Sequence, residues 1–332
     1  MRMTYDLLHK FARESVKMRE RSEPDLHAAY LTGSLLGDDP FMGGAADIDL
    51  VLVHRYQIPI EREVVAITPE VSLDIRHTLK EDYEPHRKLR HDPWLGYPLT
   101  QSHILLADTD HWLEFIQAGV GAEYHSPENV YARSNAMLEA AREAWFTLLQ
   151  SPPQGYPEWI RDYLQILTLA ANALTGLIAP PLTTRRFLGD FNDRVMTLGV
   201  PKSLIGFYGL LGGLEFEPEQ ITDWINAYEE DLSHSVEEDL PIELKPCRHA
   251  YYLNAIRSLA VDEELQLEAI WPLIITWTKL VNASRQEEPP AWRSCLETLE
   301  LDKDHLEQKV EALDAYLDSL EVILESWAEE YV

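Results

Sequence analysis

The sequence predicts an α+β fold: an N-terminal mixed sheet with flanking helices, followed by an all-α helical bundle. Short strand-like runs bounded by turn residues occur only in the first part of the chain. The second part shows helical spacing, most clearly over residues 306–324, where apolar residues recur at intervals of four and three. We interpret this last pattern as a helix that closes a bundle rather than as a coiled coil, because fewer than four heptads are sustained. We therefore expect two domains, residues 1–125 and 126–332.

The predicted sheet is defined by four strand-like runs, at residues 28–31, 47–53, 71–75 and 102–107. The N-terminal residues MRMTYDLLHKFARE predict an amphipathic helix rather than a signal peptide, because they contain no continuous apolar core. Ser126 can cap the helix that follows the sheet domain, and Pro127 suits the first position of that helix.

The chain is strongly acidic, with 57 Asp and Glu against 28 Lys and Arg among 332 residues and a formal net charge of −29. The first 120 residues contain 13 basic and 20 acidic residues (net −7), and the remainder contains 15 and 37 (net −22). This charge argues against nucleic-acid binding and against docking on anionic lipid, because both need clustered Lys and Arg. It favours a cationic partner or substrate. A hydrophobic content of 45% excludes a disordered or low-complexity protein.

The cysteine and hydropathy patterns indicate a cytoplasmic protein. Two cysteines are too few for a disulfide framework and lack zinc-site spacing. The most apolar stretch, residues 163–182, is interrupted by polar residues and predicts a buried helix rather than a membrane span. The histidines that lie near one another in sequence have no metal-site spacing, so we interpret them as surface or structural residues; they are His77, His86, His91 and His103.

Residues 30–53 are the segment most informative about chemistry. A short strand ends at Gly33 and Ser34, and a loop then leads to a strand that opens with Asp47 and Asp49. Side chains two apart on a strand point to the same face, so these carboxylates project together from Cα atoms about 7 Å apart. A bound divalent cation relieves their repulsion, and hard oxygen ligands suit Mg²⁺.

A third carboxylate, Asp74, alternates with apolar residues in the next strand-like run. If the two strands are neighbours, Asp74 completes a three-carboxylate cluster, which can hold two Mg²⁺ ions around a nucleoside triphosphate. One ion polarises the attacking hydroxyl, and the other neutralises the pyrophosphate leaving group. Gly33 lets a phosphate approach the backbone, and Ser34 offers it a hydroxyl and an amide. The alternative is that the aspartates are solvated residues at a strand end.

This combination resembles the hallmark of the nucleotidyltransferase superfamily, which includes DNA polymerase beta and the antibiotic nucleotidyltransferases. The hallmark is Gly-Ser, a variable loop, Asp-x-Asp and a later acid, which stand here at Gly33, Ser34, Asp47, Asp49 and Asp74. The resemblance is nearest to the kanamycin nucleotidyltransferase-like enzymes and extends to residues 92–120 and 174–211. Residues from about 212 to 332 resemble nothing in that family and form a C-terminal extension.

The resemblance implies a Mg²⁺-dependent enzyme that transfers a nucleoside monophosphate, AMP from ATP in the first instance. The acceptor is a hydroxyl of a small, cationic, aminoglycoside-like molecule, and pyrophosphate is released. The resemblance assigns Glu143 as the general base, with Glu139 one helical turn earlier. On their helix both residues lie opposite the apolar stripe, so they either line an interdomain cleft or are simply hydrated. The family places a lysine four residues after its base, where this chain has Thr147, and Arg142 is a candidate substitute.

Three further expectations follow from the resemblance and its alternatives. The family builds its site at a dimer interface, which implies a homodimer. A non-catalytic, antitoxin-like or regulatory binding protein could use the same fold, although such a module needs no cluster of three carboxylates. A nucleotidyltransferase that modifies a protein or a tRNA end is the other alternative, and the negative charge weighs against RNA.

Overall fold

A computed structural model describes residues 3–37, 39–101, 104–212, 216–284 and 287–332. The chain divides into two compact units, which we call the sheet unit and the helical unit. The sheet unit consists of Met1–Asn129 and Lys245–Asn254, and the helical unit consists of Val130–Leu244 and Ala255–Val332. The segment Lys245–Asn254 therefore belongs to the sheet unit, although it follows the predicted sheet domain by more than a hundred residues. The predicted α+β class is confirmed, because the structure contains a mixed sheet together with many helices.

The sheet consists of β1 (Leu26–Thr32), β2 (Ala46–His54), β3 (Arg62–Thr68), β4 (Val71–Leu79) and β5 (Leu105–Asp108). The strand order is β3-β4-β2-β1-β5. β2 and β4 run parallel, and the other neighbouring pairs are antiparallel. Four strands correspond to the four predicted runs, of which residues 102 and 103 lie outside the described residues. β3 was not predicted, because this edge strand is half-buried or exposed along its length and shows no regular apolar alternation.

Three helices accompany the sheet: α1 (Tyr5–Ser22), α2 (Gly96–Leu99) and α3 (Trp112–Gly121). The Thr4 side chain accepts a hydrogen bond from the Leu7 amide at the start of α1. Leu8, Ala12 and Val16 recur every four residues on α1 and pack into the same core as the apolar face of the sheet. The predicted N-terminal amphipathic helix is therefore present.

The helical unit is built from the remaining helices: α4 (Pro127–Gln150), α5 (Tyr156–Thr175), α6 (Phe187–Thr197), α7 (Pro201–Leu211), α8 (Pro218–His234), α9 (His249–Ala260), α10 (Ile270–Ala283), α11 (Pro290–Thr298) and α12 (Leu306–Tyr331). α4 and α9 begin in the sheet unit. In the core of the helical unit, Trp271 stacks on Phe187 with ring centroids 4.0 Å apart. α12 covers the predicted periodic segment, and its buried residues include Leu313, Leu317, Leu320 and Leu324.

α4 begins where the sequence indicates, since the Ser126 hydroxyl accepts a hydrogen bond from the Asn129 amide and Pro127 is the first helical residue. None of the helices in the described part of the chain combines the length and the apolar character needed to cross a lipid bilayer.

Candidate functional site

β2 presents two of the predicted aspartates on one face of the sheet. Asp47 is fully buried and Asp49 is half-buried. The intervening Ile48 and the following Leu50 belong to the apolar core on the opposite face. The alternation of a β-strand thus places both carboxylates on the same side.

The parallel pairing of β2 with β4 brings the third aspartate to them. In this register, Asp49 lies opposite Asp74, and Asp47 lies opposite Ser72. One oxygen from each of the three carboxylates lies within 4.8 Å of the other two. The Ser72 hydroxyl donates a hydrogen bond of 2.8 Å to Asp47 Oδ1. The three aspartates therefore form one group, which we call the carboxylate cluster.

Gly33 and Ser34 lie in the 3₁₀ turn Gly33–Leu36, which follows β1. Gly33 has a φ of +68°, and a Cβ atom added to it would lie 1.9 Å from Asp49 Oδ2. This position requires glycine both for its backbone angle and for the close approach of Asp49. The Ser34 hydroxyl is buried and has no hydrogen-bond partner among the described residues. It is therefore available to bond with a ligand.

Two arginines that were not selected from the sequence contact the carboxylate cluster. Arg62 on β3 binds Asp74 through both oxygens, with 2.7 Å from Nε to Oδ1 and 2.5 Å from Nη2 to Oδ2. Arg248 comes from the segment Lys245–Asn254: its Nη2 lies 2.7 Å from Asp47 Oδ2, and its Nη1 donates to Asp74 Oδ2. The almost fully buried guanidinium of Arg248 thus bridges two of the three aspartates.

Two aromatic rings also contact the Arg248 guanidinium. Its Cζ lies 5.1 Å from the centroid of the Tyr251 ring and 5.8 Å from that of the Tyr252 ring. The two rings pack in a T shape, with centroids 5.0 Å apart and an interplanar angle of 85°. The negative ring faces attract a desolvated guanidinium, so they add to the ion pairs that hold Arg248.

The electrostatics of the cluster keep Asp74 and Arg248 ionised. Burial by itself raises the pKa of Asp74, but the hydrogen bond from Arg62 and the charge of Arg248 outweigh it and lower the pKa below its usual value. Burial likewise disfavours the charged form of Arg248, yet the charge of Asp47 raises its pKa above the usual value. The two guanidiniums therefore neutralise part of the negative charge of the three aspartates.

The donor set of the carboxylate cluster suits magnesium, which prefers carboxylate oxygens. The unpartnered Ser34 hydroxyl beside it, among the described residues, suits a phosphate ligand. Asp74 Oδ2 already accepts hydrogen bonds from Arg62 and Arg248, which occupy both of its lone pairs. An ion can use this oxygen only if Arg62 or Arg248 leaves it. Because Arg248 also lies 2.7 Å from Asp47 Oδ2, this arginine competes with a metal for two of the three aspartates.

Glu143, the predicted general base, lies on α4 in the helical unit, where its side chain is exposed. Glu139 is also exposed and accepts a hydrogen bond of 2.8 Å from Asn135. Neither glutamate belongs to the unit that carries the carboxylate cluster. The role of Glu143 as a base therefore stays a prediction.

Arg142, the candidate substitute for the family's lysine, is engaged elsewhere. Its guanidinium forms ion pairs with three acidic residues of α12, which are Asp314, Asp318 and Glu321. These contacts tie α4 to α12 within the helical unit. In the structure, Arg142 therefore links two helices of the helical unit through ion pairs.

Sequence reasoning missed Arg62 and Arg248 for different reasons. Arg62 was missed together with its strand β3, because the residues REVVAIT show no regular apolar alternation. Their β-branched side chains are the local signal that could have indicated a strand there. Arg248 is 174 positions from Asp74, and nothing in its surrounding sequence marks it as a partner of the cluster.

No model of a known protein family matches this chain. No curated protein matches it significantly either.

Proposed function

We propose that this chain is a Mg²⁺-dependent nucleotidyltransferase. It moves a nucleoside monophosphate, AMP from ATP in the first instance, to a hydroxyl of a small cationic acceptor of the aminoglycoside type. The observation that carries the proposal is the convergence of Asp47, Asp49 and Asp74 from two parallel strands into one cluster. The turn that holds Gly33 and Ser34 follows the neighbouring strand, as the family hallmark requires.

In this proposal the carboxylate cluster holds Mg²⁺, and Gly33 and Ser34 bind the triphosphate through the backbone and the free hydroxyl. The metal, when bound, supplies positive charge to the phosphates and to the leaving group. The family resemblance assigns the removal of the proton from the acceptor hydroxyl to Glu143. The acceptor oxygen forms a bond to the α-phosphorus, the bond from that phosphorus to the β-phosphate oxygen breaks, and pyrophosphate leaves.

The charge of the chain supports a cationic acceptor. The net charge of −22 over residues 121–332 raises the local concentration of polycations such as aminoglycosides. The family resemblance adds a homodimer to the proposal, which sedimentation of the full chain tests directly.

The experiment combines the full chain with ATP labelled at the α-phosphate, Mg²⁺ and a panel of aminoglycosides. We expect pyrophosphate release that depends on one acceptor and transfer of the label to that acceptor. Asp49→Asn should reduce the rate by at least about 100-fold, because a metal ligand supplies several kcal/mol of charge stabilisation. Asp304→Asn, which removes an exposed carboxylate of the helical unit, is the matched control and should leave the rate unchanged. Equal rates for both variants would contradict the proposal.

A specific observation favours a second candidate, a non-catalytic binding protein on the same fold. Arg62 and Arg248 already pair with Asp47 and Asp74, so the cluster can serve as a structural network of ion pairs. In that case no acceptor elicits pyrophosphate release, and Mg²⁺ does not change the melting temperature. Partner binding that survives Asp47→Ala and Asp49→Ala would support this second function.

A further inference from the structure

A second group of metal-ligating side chains lies at the other end of the two parallel strands. His54 is the last residue of β2, and His77 is near the end of β4. Because side chains alternate along a strand, both histidines are on the apolar face of the sheet, opposite the carboxylate cluster. His54 is 2% exposed and His77 is 5% exposed. The group therefore belongs to a different surface of the sheet from the site already described.

The ring nitrogens of the two histidines converge. His54 Nε2 and His77 Nδ1 are 2.8 Å apart, and the rings stack with centroids 5.0 Å apart. Glu23, the residue that ends α1, brings a carboxylate oxygen so that the three ligand atoms all lie within 4.8 Å of one another. Glu23 Oε2 is buried and accepts no hydrogen bond from any described residue. Glu23 thus contributes a carboxylate to the group, and one of its two oxygens is buried without a hydrogen bond from the described residues.

The second nitrogen of His77 has a partner of its own. His77 Nε2 lies 3.3 Å from Glu63 Oε1, and this oxygen also accepts a hydrogen bond of 2.7 Å from Arg19. A histidine that binds a metal through one nitrogen usually donates its other N–H to a carboxylate, which fixes the tautomer. When Nε2 donates to Glu63, Nδ1 of His77 is left with a lone pair for a metal.

We propose that Glu23, His54 and His77 form a transition-metal site, for which Zn²⁺ is the best-suited ion. Two imidazoles and one carboxylate are ligands that zinc takes, with a fourth position left for water. Zn–N bonds of about 2.0–2.1 Å at a tetrahedral angle place two nitrogens about 3.3 Å apart. The nitrogens of His54 and His77 need to separate by only about 0.5 Å to reach this geometry.

The surroundings of the site admit a cation. Arg19 forms ion pairs with both Glu23 and Glu63, so these two carboxylates and one guanidinium together carry a net negative formal charge beside the histidines. The Glu23 side chain is 29% exposed, so this ligand lies at the edge of the buried group. A bound ion would connect the C-terminal end of α1 to the ends of β2 and β4. This site is independent of the proposed nucleotidyl transfer.

Zinc titration of the full chain, after removal of metals with a chelator and in excess Mg²⁺, tests the site. Mg²⁺ is present to saturate oxygen-only sites, which zinc would otherwise enter. We expect one Zn²⁺ to bind by calorimetry and Co²⁺ to give the visible absorption of a four-coordinate nitrogen–oxygen site. Glu23→Gln should weaken zinc binding by at least about tenfold, and Glu63→Gln by about 10- to 100-fold. Asp49→Asn should bind zinc as the unaltered chain does.

The control is Glu20→Gln, which removes an exposed carboxylate one turn earlier on α1 and should not change zinc affinity. The test relies on Glu23 because it is partly exposed, whereas substitution of the buried histidines can unfold the sheet unit. A rise in melting temperature on addition of Zn²⁺, present in the unaltered chain and lost in Glu23→Gln, is the second readout. Absence of zinc binding, or equal binding by Glu23→Gln, would overturn the proposal and leave the histidines as a hydrogen-bonded pair.

Discussion

Gly33 and Gly44 both adopt a left-handed backbone, with φ of +68° and +79°, but their surroundings differ. A Cβ atom on Gly33 would lie 1.9 Å from Asp49 Oδ2, whereas one on Gly44 would meet nothing within 4 Å. The pair therefore separates the cost of backbone strain from the cost of crowding Asp49. Substitution of each glycine by alanine therefore tests whether Gly33 is required because Asp49 lies so close to it.

Gly33→Ala should lower the free energy of unfolding more than Gly44→Ala does. Both variants place alanine in the left-handed region, at a cost of about 1–2 kcal/mol. Only Gly33→Ala adds overpacking against Asp49, which costs about a further 1–3 kcal/mol. Urea denaturation followed by circular dichroism measures both losses. Equal losses would mean that Asp49 moves aside freely and that glycine is needed for its backbone angle alone.

At the scale of elements, the segment Lys245–Asn254 contacts the carboxylate cluster from a distant part of the chain. It contains a 3₁₀ turn, Pro246–Arg248, and the first turns of α9. The turn places Arg248 against Asp47 and Asp74, and the helix supplies Tyr251 and Tyr252. Replacement of Arg248 therefore tests whether the arginine and a metal ion compete for the same carboxylate oxygens.

Arg248→Ala should destabilise the chain by about 3–5 kcal/mol without divalent ions, because two buried aspartates lose a partner. Mg²⁺ should restore part of this loss, since it can bind the oxygens that the arginine vacates. Thermal unfolding with and without MgCl₂ measures both effects.

The control for this variant is Arg257→Ala, further along α9. Arg257 pairs with Glu229, and the two side chains are 43% and 45% exposed. An exposed pair of this kind contributes at most about 1 kcal/mol, and Mg²⁺ should not compensate for its loss. If Mg²⁺ stabilises the unaltered chain as strongly as it stabilises Arg248→Ala, the arginine does not compete with the metal.

A second element-level prediction concerns the contact of α4 with α12. Arg142→Ala removes one cation from three acids, so it should lower stability by about 1 kcal/mol at low salt. The difference should shrink in 0.5 M NaCl, because partly exposed ion pairs are screened. Arg161→Ala, whose partner is the adjacent Asp162, is the control and should have a smaller effect. A loss that does not depend on salt would indicate that the Arg142 side chain acts through packing alone.

At the scale of the whole molecule, the two cysteines report separately on the two units. Cys247 is half-buried in the sheet unit, and Cys295 is buried in the helical unit. Burial raises the pKa of the Cys295 thiol, so little of the reactive thiolate is present near neutral pH. Labelling of Cys295 therefore follows the opening of the helical unit, whereas the half-buried Cys247 is accessible in the folded sheet unit.

In the native chain at pH 8, Cys247 should react with a disulfide reagent faster than Cys295. Cys247→Ser should remove the fast phase, and Cys295 should become reactive only in urea. The absorbance of the thiolate that the reagent releases measures both rates. A fast phase that persists in Cys247→Ser would show that the helical unit opens around Cys295 under native conditions.

Local periodicity in the sequence determined the α+β class, the helical character of the second half, and the common face of Asp47 and Asp49. It succeeded because each of these features depends on which neighbouring side chains alternate or repeat, and that pattern is contained in a few consecutive residues. The edge strand β3 was missed because its partial exposure leaves no apolar alternation.

Only the tertiary structure decided which residues share each site. The parallel register of β2 and β4 set Asp49 opposite Asp74, and it also set His54 near His77 on the other face. Arg248 reached the cluster from a distant segment, and Glu23 reached the histidines from the end of α1. Contacts between residues far apart in the chain depend on how the strands and helices pack, and no short stretch of sequence records that packing.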